Sequence, residues 1–403
     1  MQEKKRIKKS LLQWMEGGDH DLVPVMMADA ESTAASYFGV PVRTPSTEVS
    51  FTEAPELPVT PAMVIKCCRE TGLHFKANLG QPGVFDAIEF IEDMDLKVKR
   101  ETAPDGTLRR FTTLHTPKGE LHDIFETPPD RPAMWTSHLV KTEKDLPAFA
   151  YFIEKASVSM LEDVRVREKI TSKLRKASAK WPAEAPLSAI VGVPAFGLMS
   201  SLFMGAEESA FFLADNTALM EGLFEMQTRA LKTLVECAAE AGADFLTGAI
   251  NGLELFSPAM YRKYFIPQAK ELFRMAHGCG MRGWVHTCGY LDRLIDAGVY
   301  EEMDVDILES FSHPPLGDVG NLRAARSKLG RRIITRGAVN VDLFYDSDLE
   351  HIRNRTVTVL EETAGYPHML GDTNDSYPPY PWKNIRALLE AVQKSGRFLP
   401  IQI

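Results

Sequence analysis

The 403-residue sequence contains no apolar run as long as a membrane-spanning helix needs, which is about 18 residues or more. A basic segment at 1–9 is followed only by a short apolar segment at 11–15, so we expect a solvated amphipathic helix there and not a secretory signal. The formal net charge is −9, and a general nucleic-acid binder needs a basic face. We therefore predict neither a membrane nor a nucleic-acid partner.

Cysteine is scarce, with five residues in the chain. An odd number without a secretory signal indicates reduced thiols and predicts a cytoplasmic location. Cys67, Cys68, Cys237 and Cys279 belong to helical patterns and are interpreted as ordinary interior thiols. Cys288 differs from them because it follows a predicted strand.

Glycine-rich phosphate loops of the G-x-G-x-x-G or G-x-x-x-x-G-K-[ST] kind are absent from the sequence. A short apolar segment at 22–28, and others from 187 onward that alternate with helical patterns, are typical of a parallel sheet covered by helices. An open doubly wound sheet also fits this alternation, but the missing phosphate loop removes the usual reason to prefer it. We predict an α/β fold, a (β/α)8 TIM-type barrel forming a single domain over 1–403.

A β-rich segment near 97–126 interrupts this pattern. Its runs are separated by Pro104-Asp105-Gly106 and Pro117-Lys118-Gly119, which are strong turn signals. We predict an antiparallel meander inserted into the barrel. Three roles stay open for it: covering the barrel mouth, docking a partner, or forming a homodimer contact.

One predicted strand, Gly283-Trp284-Val285-His286, ends close to a cysteine at 288. Residues i and i+2 of an extended strand point to the same side, so His286 and Cys288 can reach one point together. Imidazole and thiolate are ligands that zinc prefers. On these residues alone, a buried histidine and a buried cysteine at a strand end explain the pattern equally well.

Other polar residues follow the predicted strands, and the active site of a βα barrel lies at the carboxyl ends of its strands. These residues are Asp29, Glu31, Asn251, Glu254, Glu309, His313, Arg336, Asn340, Asp372, Asn374 and Asp375. Single members have structural explanations, because Asn340 could cap a turn, Glu309 could pair with Arg336, and Asp372 could cap a loop. As a set, they favour a functional site.

Asp372 is the third zinc ligand in this interpretation, because we expect its strand to neighbour the others and a carboxylate is a permitted donor. An open fourth position would make the ion catalytic, as a Lewis acid. Glu254 and Glu309 are candidates for a fourth ligand or for orienting His286. With Asn251 they form the predicted catalytic set, and Asn340 is the predicted cofactor-binding residue.

Several segments resemble the uroporphyrinogen decarboxylase-like superfamily. They are Gly192-Val193-Pro194-Ala195-Phe196-Gly197-Leu198, Leu255-Phe256-Ser257-Pro258 with Tyr261, His286-Thr287-Cys288-Gly289, Arg336-Gly337-Ala338-Val339-Asn340, and Gly371-Asp372 leading through Pro381 to Asn384-Ile385. In the methyltransferase branch, the resemblance implies that the His-x-Cys-Gly element supplies two zinc ligands and that a later cysteine after a glycine supplies the third. Here that position reads Gly371-Asp372, and no cysteine follows Cys288.

The resemblance implies a zinc-dependent methyltransferase that moves a methyl group between a small methylated substrate and a corrinoid. The Asp-x-His-x-x-Gly cobalamin-ligand pattern is absent, so a separate protein must carry the corrinoid. Replacing a thiolate by Asp372 makes a harder zinc site, which favours an oxygen or nitrogen substrate atom and hence a demethylase of a methoxylated molecule. The direction of transfer stays open.

The alternative is a metal-free decarboxylase of the uroporphyrinogen decarboxylase type. That branch holds the porphyrinogen carboxylates with an arginine-rich segment near its N-terminus. This chain has the acidic sequence Asp29-Ala30-Glu31 after its first strand, which would repel a polycarboxylate.

Overall fold

The computed structural model describes residues 6–41, 58–129, 133–191, 195–250, 256–287, 289–374 and 379–401. The predicted TIM-type barrel is confirmed: a seven-stranded sheet, parallel throughout, runs from the second barrel strand to the last. Its strands are β2 (Ala77–Asn78), β7 (Leu187–Ile190), β8 (Phe245–Ile250), β9 (Arg282–Thr287), β10 (Ile307–Ser310), β11 (Ile334–Val339) and β12 (His368–Asp372).

The segment that starts with β1 (Val23–Pro24) closes the ring. The backbone N–H of Met26 donates to the carbonyl of Leu370 in β12 at 2.9 Å, and the N–H of His74 donates to the carbonyl of Val25 at 2.8 Å. Parallel bridges at the same places join this segment to the last strand on one side and to the approach to β2 on the other. β1 also pairs with β13 (Phe398–Leu399) near the C-terminus.

Helices cover the outside of the ring and connect its strands. The α-helices of the described residues are α1 (Arg6–Met15), α2 (Ala30–Phe38), α3 (Pro61–Thr71), α4 (Leu146–Glu162), α5 (Val164–Ser178), α6 (Ala195–Leu198), α7 (Ala206–Asp215), α8 (Thr217–Glu240), α9 (Pro258–Met260), α10 (Ile266–Gly278), α11 (Asp292–Asp296), α12 (Val299–Glu302), α13 (Leu322–Leu329), α14 (Leu349–Glu362) and α15 (Trp382–Lys394). Within the described ranges, none of the helices is long and apolar enough to cross a lipid bilayer.

The β-rich insertion is a four-stranded antiparallel sheet. Its strands are β3 (Asp95–Thr102), β4 (Leu108–Thr116), β5 (Gly119–Thr127) and β6 (Met134–Ser137). The sheet extends beyond the predicted segment 97–126, because β6 adds a short edge strand. Leu114 and Leu121 are buried where β4 and β5 meet α4.

The N-terminal segment forms an amphipathic helix, as the sequence predicts, and its apolar face is buried in the protein. Leu11, Trp14 and Met15 of α1 pack against an apolar layer inside the barrel. That layer consists of Met26, Phe245, Trp284, Ile307, Ile334 and Met369, which lie near the amino ends of their strands. The helix therefore seals the amino-terminal end of the barrel.

Gly371 in β12 sits where the last strand lies very close to the first strand segment. A Cβ atom at this position would lie well inside van der Waals contact of the Met26 carbonyl oxygen and 3.0 Å from Nη2 of Arg336. The first of these neighbours is backbone and cannot move away without displacing the first strand. Glycine is therefore required for ring closure at this point.

We expect Gly371→Ala to lower the free energy of unfolding by about 3 kcal/mol, because overpacking here displaces backbone. Urea denaturation would measure the change. Gly222→Ala is the matched control: Gly222 lies in α8 with nothing within 4 Å of its added Cβ, so this change should stabilise the protein by roughly 0.5–1 kcal/mol. Equal effects of the two substitutions would contradict the proposed close approach.

Candidate functional site

His286 and Glu309 lie side by side on β9 and β10, in direct register. Nδ1 of His286 is 2.9 Å from Oε1 of Glu309. An ionised carboxylate only accepts hydrogen bonds, so the imidazole donates through Nδ1. Nε2 is then the nitrogen with which His286 can bind a metal ion or a substrate.

Arg336 continues this polar row on the next strand, where it is in register with Glu309. The side chain is fully buried. Its Nη1 lies 3.5 Å from Oε2 of Glu309, and its Nη2 donates to Oδ1 of Asp372 at 2.5 Å and to the carbonyl of Met26 at 2.9 Å. One guanidinium thus links β10, β12 and the segment that starts with β1, and so spans the point where the barrel closes.

Asp372 lies at the end of the last strand and is 1% exposed. Its Oδ1 also accepts a hydrogen bond from the N–H of Ala28 at 2.7 Å. The expectation that its strand neighbours that of His286 is wrong, because β10 and β11 lie between β9 and β12. The carboxylate holds Arg336 and the end of the first strand, and its role as a zinc ligand stays a prediction.

Lys76 is a part of this site that the sequence analysis missed. Its Nζ lies over the ring of Trp284, 4.2 Å from the centroid, and Trp284 precedes His286 by two residues on the same side of β9. A lysine between the apolar residues Phe75 and Ala77 was the available signal, since a lysine in such a place must find a polar environment. The position inside the ring provides one.

The Glu309 carboxylate is surrounded by positive charge. Burial by itself would raise the pKa of Glu309, but the charge of Lys76, the hydrogen bond from His286 and the charge of Arg336 together hold that pKa well below its usual range. Glu309 is therefore ionised whenever the protein is folded near neutral pH. This charge state is the one that can orient the His286 ring.

The carboxyl ends of β10 and β11 carry strained backbone. Ser310, Phe311 and Ala338 have positive φ angles of 109°, 58° and 74°, which cost non-glycine residues about 1–3 kcal/mol each. Beside them, a Cβ atom on Gly337 would lie 2.5 Å from the carbonyl oxygen of Ser310. Such strain at strand ends is typical of functional sites.

Asn340 performs a structural task after β11. Its Oδ1 accepts from the N–H of His313 at 3.0 Å, and its Nδ2 donates to the carbonyl of the same residue at 2.8 Å. The amide thus fixes the loop after β10. Its predicted role in cofactor binding stays a prediction.

Asp29, at the end of the first strand segment, caps helix α2. Its oxygens accept from the N–H of Ser32 at 2.9 Å and from the Ser32 hydroxyl at 2.5 Å. Burial raises the pKa of Asp29, the Ser32 hydrogen bonds oppose this, and the charge of Asp372 raises it further. Glu31 follows in the first turn of α2.

Several predicted site residues lie outside the described residues. They are Asn251, Glu254, Cys288 and Asp375. Among the residues that the structure does describe, no group of three or more His, Cys, Asp or Glu side chains could hold a metal ion. The zinc ligand set, which includes Cys288, therefore stays a prediction.

Comparisons with known proteins agree with the fold. The family model described as Uroporphyrinogen decarboxylase (URO-D) matches residues 138–395. Uroporphyrinogen decarboxylases from two strains of Thermus thermophilus are each 27% identical to this chain over 265 residues, which is 63% of this chain and 70% of theirs.

A solved structure of a methyltransferase from Methanosarcina mazei superposes with a TM-score of 0.63. The alignment covers 97% of this chain and 99% of that protein, at 16% sequence identity. At this identity the likeness establishes a shared fold over nearly the whole chain, and nothing about chemistry.

We expect Glu309→Gln to lower the free energy of unfolding at pH 7 by about 3 kcal/mol, because it leaves buried cations without their counter-charge. The folded-state pKa of Glu309 is depressed, so its stabilisation is present above the ordinary pKa of 4.5 and is lost as pH falls below it. The difference between the two proteins should therefore narrow in acid.

Urea denaturation between pH 3 and pH 8 would measure this difference. The control is Glu350→Gln, since Glu350 is an exposed carboxylate paired with Arg353 and its loss should cost less than about 1 kcal/mol at any pH. A Glu309→Gln effect of the same size at every pH would contradict the assigned charge state.

Proposed function

This chain belongs to the uroporphyrinogen decarboxylase family, and we propose that it is a zinc-dependent methyltransferase within that family. Its substrate is a small methylated molecule, in the favoured form a methoxylated one. The methyl group moves between this molecule and the cobalt of a corrinoid that a separate protein carries. The direction of transfer is left open.

The hydrogen bond between Nδ1 of His286 and Oε1 of Glu309 is the observation that carries this proposal. Histidines that bind metal ions almost always donate their other ring N–H to a carboxylate or carbonyl, which fixes the tautomer and makes the ligating nitrogen more basic. Glu309 is ionised and held in place by Arg336, so it fits the orienting role better than the role of a ligand.

The donor atoms suit zinc. Nε2 of His286 and a thiolate at Cys288 would form a borderline-soft pair. As a third ligand Asp372 would have to bind through Oδ2, because its Oδ1 holds Arg336 and Ala28. Glu254 is the other carboxylate candidate. Zinc bound there would supply Lewis-acid chemistry at the substrate heteroatom.

The side chains of this protein then have distinct tasks. His286 and Cys288 would bind the ion, Glu309 keeps the imidazole in one tautomer, and Arg336 and Lys76 stabilise the charge of Glu309. In demethylation, the bond between the methyl carbon and the heteroatom would break with its electron pair staying on the heteroatom, and a corrinoid on the partner protein would supply the nucleophile that accepts the methyl group.

Decarboxylation of a porphyrinogen is the second candidate function. It is favoured by the two Thermus thermophilus relatives, both named as uroporphyrinogen decarboxylases. That reaction needs no metal, so it would leave the orientation of His286 unexplained. The segment 29–31 also lacks the arginine that would hold a substrate with several carboxylates, and the carboxylate of Glu31 would repel such a substrate.

We expect the purified protein to contain about one zinc ion per chain. The double variant His286→Ala with Cys288→Ala should lose nearly all of it, because the two ligands with the highest zinc affinity are removed. Elemental analysis after dialysis would measure the content. His351→Ala with Cys279→Ala, an exposed histidine and an exposed cysteine elsewhere, is the matched control and should retain the metal.

Full zinc content in the His286/Cys288 double variant would rule out the ligand assignment. Turnover of uroporphyrinogen by protein stripped of metal would establish the decarboxylase instead. The methyltransferase is supported if zinc-loaded protein transfers methyl from a methoxylated substrate to a supplied corrinoid protein and the double variant does not.

A further inference from the structure

Three basic side chains lie together on the outside of the barrel sheet, at its amino-terminal edge and beneath α13 and α14. We call Arg326, His368 and Arg397 the basic cluster. It is far along the strands from the carboxyl ends where His286 and Glu309 meet. Nothing in the proposed reaction uses it.

Arg326 on α13 is completely buried. Its Nη2 donates to the carbonyls of Gly330 and Ile333, both at 2.9 Å. Its Nε and Nη1 are also buried, yet they contact no hydrogen-bond acceptor in the described part of the chain. No described carboxylate forms an ion pair with it, and the guanidinium instead lies 5.2 Å from the ring of Tyr366.

The other two members also carry a buried ring or guanidinium nitrogen that has no hydrogen-bond partner among the described atoms. His368, the first residue of β12, is 1% exposed; its Nδ1 lies 2.8 Å from the hydroxyl of Thr335, while Nε2 is buried without a partner among the described atoms. Arg397 donates through Nε to the carbonyl of Asp21 at 2.9 Å and through Nη1 to that of Leu360. Its Nη2 is buried and lacks an acceptor within the described ranges.

Backbone pairing brings the three side chains together. Ile333, which holds Arg326, directly precedes β11, and Thr335 in β11 is in register with His368. The carbonyl of Arg397 accepts from the N–H of Val23, in the segment that lies beside β12 on its other side. Consistent with this proximity, burial lowers the pKa of His368 and the charges of Arg326, Arg336 and Arg397 lower it further.

The unpaired arginine nitrogens are all donors, because a guanidinium has no acceptor. When the Nδ1 of His368 accepts from Thr335, its Nε2 is a donor as well. Buried charges are normally paired or neutralised. Among the described residues, the negative charge of Asp21 acts on Arg397, whereas Arg326 is held by carbonyl dipoles and an aromatic ring and no carboxylate is paired with it or with His368. An anion would accept these hydrogen bonds and neutralise the cluster, whereas a water molecule would bring two hydrogens of its own that also need acceptors.

We propose that the basic cluster binds a small inorganic anion, a halide or an oxyanion of phosphate type, between the sheet and helices α13 and α14. Residues at the amino-terminal face of a βα barrel serve stability and not catalysis. The anion therefore stabilises the fold by joining the last strand to two of the covering helices. This role is independent of the methyltransferase reaction.

The test is the thermal unfolding midpoint of the full chain against concentration of sodium chloride or sodium phosphate. Sodium isethionate, whose anion is bulky, keeps the ionic strength constant. At about a hundredfold excess over the dissociation constant, the midpoint should rise by roughly 3 °C, because the anion binds only the folded chain. A response to chloride alone identifies a halide site, and a response to phosphate identifies an oxyanion site.

Arg326→Met and Arg397→Gln should each remove most of this rise. If Arg326→Met does not fold, Arg397→Gln is compared with the unmodified protein instead. Arg397 is only partly buried, so its replacement should leave the protein folded. Arg323→Met is the matched control, since Arg323 is an exposed arginine on the same helix that contacts only a carbonyl; its response should equal that of the unmodified protein. A flat response of the unmodified protein, or an unchanged one in Arg397→Gln, would overturn the proposal.

Discussion

The charge of Arg336 is the constraint on which this structure depends. A guanidinium buried inside a barrel must find its counter-charges there, and Glu309 and Asp372 provide them from the strands on either side. The same guanidinium binds the carbonyl of Met26, so the charge balance and the closure of the ring are one arrangement. Gly371 leaves the space that this arrangement needs.

The candidate site follows from that balance. Arg336 and Lys76 keep Glu309 ionised, and the ionised carboxylate holds one nitrogen of His286. The opposite ring nitrogen is then presented in a single tautomer at the carboxyl end of β9. A zinc site of the proposed kind requires such a preorganised ligand, and membership of the uroporphyrinogen decarboxylase family agrees with the barrel that provides it.

Much of the fold was predictable, because short apolar segments alternating with helical patterns specify parallel strands covered by helices. The sequence also allowed a pairing of Glu309 with Arg336, because both were predicted at the carboxyl ends of barrel strands, which meet at one face of the barrel. The wrong expectation about the position of the Asp372 strand was avoidable, because strands of a βα barrel run in sequential order, which places the last strand beside the first. Lys76 was not predicted because it precedes β2 and does not follow a strand, and its importance comes from the contact of its side chain with Trp284. Ring closure through a few bridges at Val25 and Met26 leaves almost no sequence pattern.

The tautomer of His286 tests this account most directly. Long-range nitrogen–proton correlation spectra of the metal-free protein, recorded at a pH where the ring is neutral and assigned with His286→Gln, would report it. The hydrogen bond to Glu309 predicts that the hydrogen resides on Nδ1, which is the minor tautomer of free histidine. A neutral ring with its hydrogen on Nε2 would contradict the account, because Nε2 would then be unable to bind a metal ion.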